Sequence, residues 1–80
     1  MNTSEMNERL AEIEHERWSD WMRHVFSRGT FLPDGNFVMN TCDVDRWIRQ
    51  METPYSKLSE EEKDADRRET KRYLKILRNE

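Results

Sequence analysis

The stretch that decides the fold runs from residue 4 to residue 29 and reads SEMNERLAEIEHERWSDWMRHVFSRG. Its apolar side chains recur with the helical period and fall within one broad sector, which predicts an amphipathic helix with one face in a core. The members of this sector are Met6, Leu10, Ile13, Trp18, Trp21, Met22, Val25 and Phe26. We expect the helix to run from a Ser4 cap to Arg28, with Gly29 just past its last turn as a stop signal.

A hairpin and a short helix are expected next. Two β-leaning runs, residues 30–32 and 37–39, flank a Pro-Asp-Gly-Asn sequence whose order suits a tight reversal. The second helix is expected to start from a cap at Asn40 or Thr41 and to end before Pro54, because the residue before proline avoids the helical region. Its apolar positions are Val44, Trp47, Ile48 and Met51.

The third helix has the clearest start signal. Ser59 followed by three glutamates is a capping-box pattern, in which Ser59 accepts a backbone N–H bond and Glu62 returns one. We expect this helix to run from Glu60 to about Arg78. The sequence therefore predicts a mainly α protein: one small three-helix domain over residues 1–80, with a short β-hairpin between helices 1 and 2.

Composition excludes several classes of function. In 80 residues, 14 Lys or Arg accompany 17 Asp or Glu, a net charge of -3, so the basic excess of a DNA-binding protein is absent. No apolar run could span a bilayer and no signal peptide is recognisable, which predicts a cytoplasmic protein with no membrane partner. Cys42, expected to be half-buried, has no metal-ligand spacing with His15 or His24, and no nucleophile lies beside a base. We expect no metal, no cofactor and no enzymatic activity.

The informative irregularity is charge within the apolar sector of the first helix. Glu14 and Arg17 both fall on its inward side, where an unpaired charge is strongly disfavoured. One hypothesis is an interior bridge from Arg17 to Asp66 or Glu69 of the third helix, with the stem of Arg17 covering apolar surface.

The other hypothesis is a ligand pocket. Here Arg17, His15 and Trp18 line a cavity in which the guanidinium receives an anionic group and the indole stacks on a planar one. His15 has a second interpretation, as a hydrogen-bonded and partly buried histidine. The sequence leaves these alternatives open.

Two stretches resemble the RyR domain, the small repeat first described in ryanodine receptors and also found in bacterial and viral proteins. Residues 14–18 (EHERW) resemble its E-H followed shortly by W, and residues 53–67 (TPYSKLSEEEKDADR) match P-[FYW]-x-x-L-x-x-E-E-K-x-x-D-R in register. The usual H-P-x-L element before the proline is replaced by residues 49–52 (RQME). The whole sequence, with its run from Trp18 to Arg23, also resembles small bacteriophage proteins.

The resemblance implies a ligand-recognition or protein-contact module of a kind found beside nucleotide-signalling and defence components, and it implies no enzyme. His15, Trp18, Tyr55 and Arg67 would lie at the family's shared surface. Asp66 would be an internal partner for a basic residue.

The first function expected is the binding of a small anionic, nucleotide-like ligand. Arg17 and Arg67 would contact phosphate. Trp18 and Tyr55 would stack on the ligand, and His15 would orient it. In a phage protein this activity would sequester a nucleotide-derived defence signal in the host cytoplasm.

The second function expected is protein interaction or self-assembly. The chain would then act on a host protein, or form a homo-oligomer, through a contact patch made of Trp47, Ile48, Met51 and the aromatic residues of the hairpin. At this length a domain buries only about 60–65% of its unfolded surface, which leaves room for a ligand or partner to supply stability.

Overall fold

The computed structural model describes residues 2–78 of the chain. In chain order its elements are α1 (Thr3–Ser27), β1 (Gly29–Phe31), β2 (Phe37–Met39), α2 (Thr41–Glu52), a single 3-10 turn (Tyr55–Lys57) and α3 (Glu60–Leu77). The prediction of a mainly α protein with a hairpin between the first two helices is confirmed. None of the helices within residues 2–78 has the length and apolar character needed to cross a membrane.

The start of α1 lies before the predicted cap. The side chain of Asn2 accepts the backbone N–H of Glu5 at 2.8 Å and donates back to the Glu5 carboxylate at 3.1 Å. This reciprocal arrangement satisfies an otherwise unpaired N–H group of the first turn. The prediction of a Ser4 cap was therefore wrong. Asn2 is an equally good cap, and Glu5, three residues later, accepts a second hydrogen bond from its side-chain amide.

The other helix boundaries follow the predicted signals. Asn40 caps α2 by accepting the backbone N–H of Asp43 at 2.8 Å. At the start of α3, Ser59 accepts the backbone N–H of Glu62, whose carboxylate accepts the backbone N–H of Ser59, each at 3.2 Å. α2 ends ahead of Pro54, as expected.

The hairpin is antiparallel, and its turn uses the predicted residues. Its strands pair Gly29 with Met39, Thr30 with Val38 and Phe31 with Phe37. The backbone N–H of Gly35 donates to the Leu32 carbonyl at 2.9 Å, closing a turn over Pro33 and Asp34. Gly35 has a φ of 90°, a conformation that side chains other than glycine's rarely adopt.

Gly29 has a different role from the predicted one. It is the first residue of β1, and the helix ends at Ser27. A Cβ atom at Gly29 would lie 2.4 Å from Cζ of Phe37 and 2.4 Å from the carbonyl oxygen of Val38. Gly29 therefore allows close approach between the strands, and β1 begins one residue earlier than predicted.

The chain divides into two compact units. The helical unit consists of Met1–Asp20 and Ser59–Glu80, and the hairpin unit is Trp21–Leu58. No hydrophobic residue within residues 2–78 is fully buried. Trp18 and Trp21, predicted as core residues, are 52% and 41% exposed. That prediction was wrong, because periodicity identifies the apolar side of a helix but not the presence of enough neighbouring chain to cover it.

Candidate interaction surface

The one buried residue in the described part of the chain is a carboxylate, Asp43, which is 2% exposed. Arg28 donates to it from Nε and Nη2 at 2.8 and 3.2 Å, and Arg46 donates at 3.1 Å. Asn40 donates from Nδ2 to the same carboxylate at 2.8 Å and to the Arg28 carbonyl at 3.2 Å. These bonds join the end of α1 to the start of α2, and we call them the Asp43 cluster.

The Asp43 cluster is electrostatically satisfied. Hydrogen bonds from Arg28 and then from Asn40 lower the pKa of the Asp43 carboxyl below its usual value. The same contact with Asp43 raises the pKa of the Arg28 guanidinium. A buried carboxylate is costly unless charged donors surround it, and here they do.

Aromatic rings pack beside this cluster in the hairpin unit. Trp21 meets Trp47 edge-on, with ring centroids 5.2 Å apart. His24 lies 5.5 Å from Trp21 and 6.1 Å from Trp47, and the Arg46 guanidinium lies 5.8 Å from the Trp47 ring. Trp47, predicted as a contact residue, is thus half-buried and packs inside the unit.

Three phenylalanines form a second aromatic group. Phe26 lies 5.6 Å from Phe31 and 5.2 Å from Phe37, and Phe31 and Phe37 are 4.9 Å apart. Phe31 nonetheless remains 60% exposed. The group anchors the hairpin on the end of α1 and leaves one aromatic face open.

The exposed large hydrophobic residues are concentrated in the hairpin unit. Of the eleven in the described chain, eight belong to this unit. We define the apolar surface by these residues: Trp21, Phe26, Phe31, Leu32, Val38, Ile48, Met51 and Tyr55. Met51 is the most exposed of them, at 75%.

In the helical unit, Glu14 joins α1 to α3. Arg17 donates from Nε to Glu14 at 3.2 Å and also pairs with it through Nη2, and the Tyr73 hydroxyl donates to Glu14 at 2.6 Å. These hydrogen bonds, with Arg17 the larger cause, lower the pKa of Glu14 from 4.5 to about 2. The contact with Glu14 raises the pKa of the Tyr73 hydroxyl.

The hypothesis of a bridge from Arg17 to Asp66 or Glu69 was wrong. The carboxylate that pairs with Arg17 is Glu14, three residues earlier on the same helix, at a spacing where side chains meet. Glu69 instead pairs with Arg72 at 3.3 Å, and Arg72 also reaches Asp20 at 2.8 Å. The side chains of α3 that bond to α1 are therefore Tyr73, which donates to Glu14, and Arg72, which pairs with Asp20.

Four of the five residues assigned to ligand binding lie in the helical unit. The His15 ring stacks on Trp18 at 6.3 Å, and both residues are exposed, so the interpretation of His15 as partly buried was wrong. Arg67 donates to Asp64 at 2.7 Å and to Glu60 at 3.2 Å.

The fifth residue, Tyr55, begins the 3-10 turn of the hairpin unit and is exposed. Cys42 is exposed as well, contrary to the prediction, because it follows the helix cap at the start of α2. Among residues 2–78 there is no group of three or more His, Cys, Asp or Glu side chains that could hold a metal ion.

Sequence reasoning missed the Asp43 cluster. A signal was present, since Asn40 and Asp43 stand in the spacing of a cap and its third helical residue. The contribution of Arg28, fifteen residues earlier in the chain, has no local signal.

Comparison with known proteins gives no match: no family model matches the chain, and neither a curated protein nor a solved structure matches it. The resemblance to the RyR domain stays a prediction.

Proposed function

We propose that the protein is a non-enzymatic protein-interaction module whose contact surface is the apolar surface of the hairpin unit. The observation that carries this proposal is the concentration of exposed hydrophobic residues there, eight of eleven. The partner is a protein that offers an apolar patch of its own.

The size of the surface supports the proposal. Its four aromatic residues together expose roughly 400 Å², at roughly 200 Å² for a whole aromatic side chain. For comparison, the largest apolar patch on a typical monomer covers about 300–600 Å² and often marks a functional site. Residues 29–39 carry a single charged side chain, Asp34, so docking there desolvates little charge.

The packing beneath the surface also suits binding. The Asp43 cluster ties α1 to α2, and the Trp21–Trp47 pair connects the same two helices. A surface whose supporting elements are fixed loses little conformational entropy on binding, which favours affinity.

Met51 is the best position at which to test the proposal, because it is the most exposed residue of the apolar surface. Met51→Glu places a charge in the apolar surface and leaves in place Trp47, whose ring packs against Trp21 and His24. Proteins retained from host cells by the immobilised wild type are identified, and each candidate is then purified and titrated by calorimetry. We expect Met51→Glu and Phe31→Ser to weaken binding at least about tenfold, a loss of about 1.4 kcal/mol.

The matched control is Asp45→Asn, an exposed polar position on the same helix, which should bind like the wild type. Self-association is measured in parallel by size exclusion with light scattering, with Arg17→Ala as a control outside the surface. If both apolar-surface variants keep wild-type binding to every partner and to themselves, the proposal fails.

The binding of a small anionic ligand is a second candidate, supported by one observation. The His15–Trp18 stack is exposed and offers an aromatic face to a planar ligand. A thermal-shift panel of cyclic and ADP-ribose-type nucleotides tests it. A ligand that stabilises the wild type but not Trp18→Ala supports binding, and no stabilisation across the panel contradicts it.

A further inference from the structure

The helical unit carries two exposed charged triplets with the same spacing. Glu5, Glu8 and Glu12 lie on α1, and all three side chains are exposed. The basic triplet on α3 is equally exposed and consists of Arg68, Lys71 and Lys75. In both sets the second residue lies three positions after the first, and the third lies seven positions after the first. Each triplet therefore covers about 60° of the circumference of its helix and about 10 Å of its length.

Each triplet faces away from the half-buried side of its own helix. On α1 the half-buried residues of this unit include Leu10 and Ile13, and on α3 they include Ala65, Tyr73 and Ile76. At 100° per residue the centre of the acidic triplet lies about 140° around the helix from the centre of the former side, and the centre of the basic triplet lies about 120° from the centre of the latter. The two triplets are therefore not directed at each other within one chain.

The described residues of the chain do not neutralise the triplets by ion pairing. Among residues 2–78 the Glu5 carboxylate hydrogen-bonds only to Asn2, and no cation of this range lies within 4 Å of Glu8 or Glu12. Likewise no carboxylate of the described chain pairs with Lys71 or Lys75.

The surrounding sequence reinforces both signs of charge. Residues 3–20 contain six carboxylates and two arginines, and residues 67–78 contain six basic residues and one glutamate. Like-charged neighbours on a helix repel, so both faces gain from an opposite charge brought from outside.

We propose that a second copy of this chain supplies that charge. The acidic triplet of one copy docks on the basic triplet of the other, and a two-fold axis repeats the contact with the roles exchanged. The equal spacing lets three pairs form in each contact, so that one dimer satisfies all twelve charges. This surface lies in the helical unit and is separate from the apolar surface, so the inference stands or falls independently of the proposed function.

Charge reversal tests the proposal with the full chain. Variant A carries Glu5→Lys, Glu8→Lys and Glu12→Lys. Variant B carries Arg68→Glu, Lys71→Glu and Lys75→Glu. Each variant alone would set like charges against each other in a homodimer, whereas a mixture of A and B restores opposite charges in both contacts. Mass is measured by sedimentation and native mass spectrometry, with 9.9 kDa for one chain.

We expect the wild type to dimerise, and each variant alone to dimerise at least about a hundredfold more weakly. The mixture should form a one-to-one heterodimer that raised salt dissociates. A wild type that stays monomeric, variants that dimerise unchanged, or a mixture that stays dissociated overturns the proposal.

A second pair of variants tests the same contact with single substitutions, which perturb folding less than triple ones. Glu8→Lys and Lys71→Glu each change one exposed residue, and circular dichroism checks that their helix content is retained. Their dimers should be about tenfold weaker singly and should recover on mixing. Met51→Glu, which alters only the apolar surface, should dimerise like the wild type.

Discussion

Gly29→Ala should destabilise the hairpin unit by overpacking. The added Cβ would lie 2.4 Å from Cζ and 2.8 Å from Cε2 of the Phe37 ring, and 2.4 Å from the carbonyl oxygen of Val38. Ordinary van der Waals contact begins near 3.4 Å. The Phe37 ring and the Val38 carbonyl oxygen would therefore each have to move about 1 Å away from the new Cβ. The Phe37 ring is held by Phe26 and Phe31, and the carbonyl belongs to the backbone of β2, so neither moves freely.

The expected cost is about 2–3 kcal/mol, at the upper end of overpacking penalties, because one obstacle is backbone. For a protein of this size it corresponds to a fall in melting temperature of about 8–24 °C. Thermal and urea unfolding, followed by circular dichroism, measure both quantities.

Gly35→Ala is the control. Its Cβ would meet nothing within 4 Å, but its φ of 90° is unfavourable for alanine, so we expect a cost of about 1 kcal/mol. Adding Phe37→Ala to Gly29→Ala removes the ring obstacle and leaves the Val38 carbonyl, so the two changes should couple by about 0.5–1 kcal/mol without full rescue. If Gly29→Ala costs no more than Gly35→Ala, the strands do not approach as closely as described.

Three further predictions concern the polar contacts. Asp43→Asn should lower the melting temperature more than Asp45→Asn, because the first removes a buried charge that two arginines contact and the second changes an exposed one; equal shifts would contradict the Asp43 cluster. Ser59→Ala should cost about 1 kcal/mol through loss of the α3 cap, while the control Ser56→Ala should be nearly neutral, both measured by urea unfolding. Glu14 has a lower pKa when folded, about 2 against 4.5, so its contribution to stability is present above pH 4.5 and is lost as the pH falls toward 2; a Glu14 titration by NMR with a midpoint near 4.5 would contradict the contact.

The elements of the fold were predictable because their ends carry local signals. Pro54 stops α2, Ser59 with Glu62 starts α3, and the Pro-Asp-Gly-Asn turn closes the hairpin, each through contacts between residues close in sequence. The error at the start of α1 has the same origin, since Asn2 and Ser4 are competing caps separated by two positions.

Burial and side-chain partners were less predictable. The helical period placed Trp18 and Trp21 on an apolar side, but their exposure depends on how much chain covers that side. In the same way, Arg17 was expected to need a distant partner, although Glu14 on its own helix was within reach. Arg28 and Asp43 meet only because the hairpin returns the chain to the end of α1, and no local pattern encodes that contact.

The candidate surfaces were predictable only in part. Ile48 and Met51 were expected at a contact surface, and they are exposed. Phe31 was expected as a hairpin aromatic, but its exposure follows from packing with Phe26 and Phe37 that leaves one face open. The charged triplets were visible in the sequence, yet their availability to a partner rests on which neighbouring charges pair elsewhere.

The two surfaces differ in physical character, and this difference makes them separable in solution. Contacts between exposed charges weaken as salt shortens the screening length, from about 10 Å at 0.1 M to about 3 Å at 1 M. Apolar contacts persist under those conditions, and excluded salts such as sulfate strengthen them. Binding through Met51 and Phe31 should therefore survive high sulfate, whereas pairing of Glu8 with Lys71 across two copies should not. A single salt series on the wild type can assign each association to its surface before any variant is made.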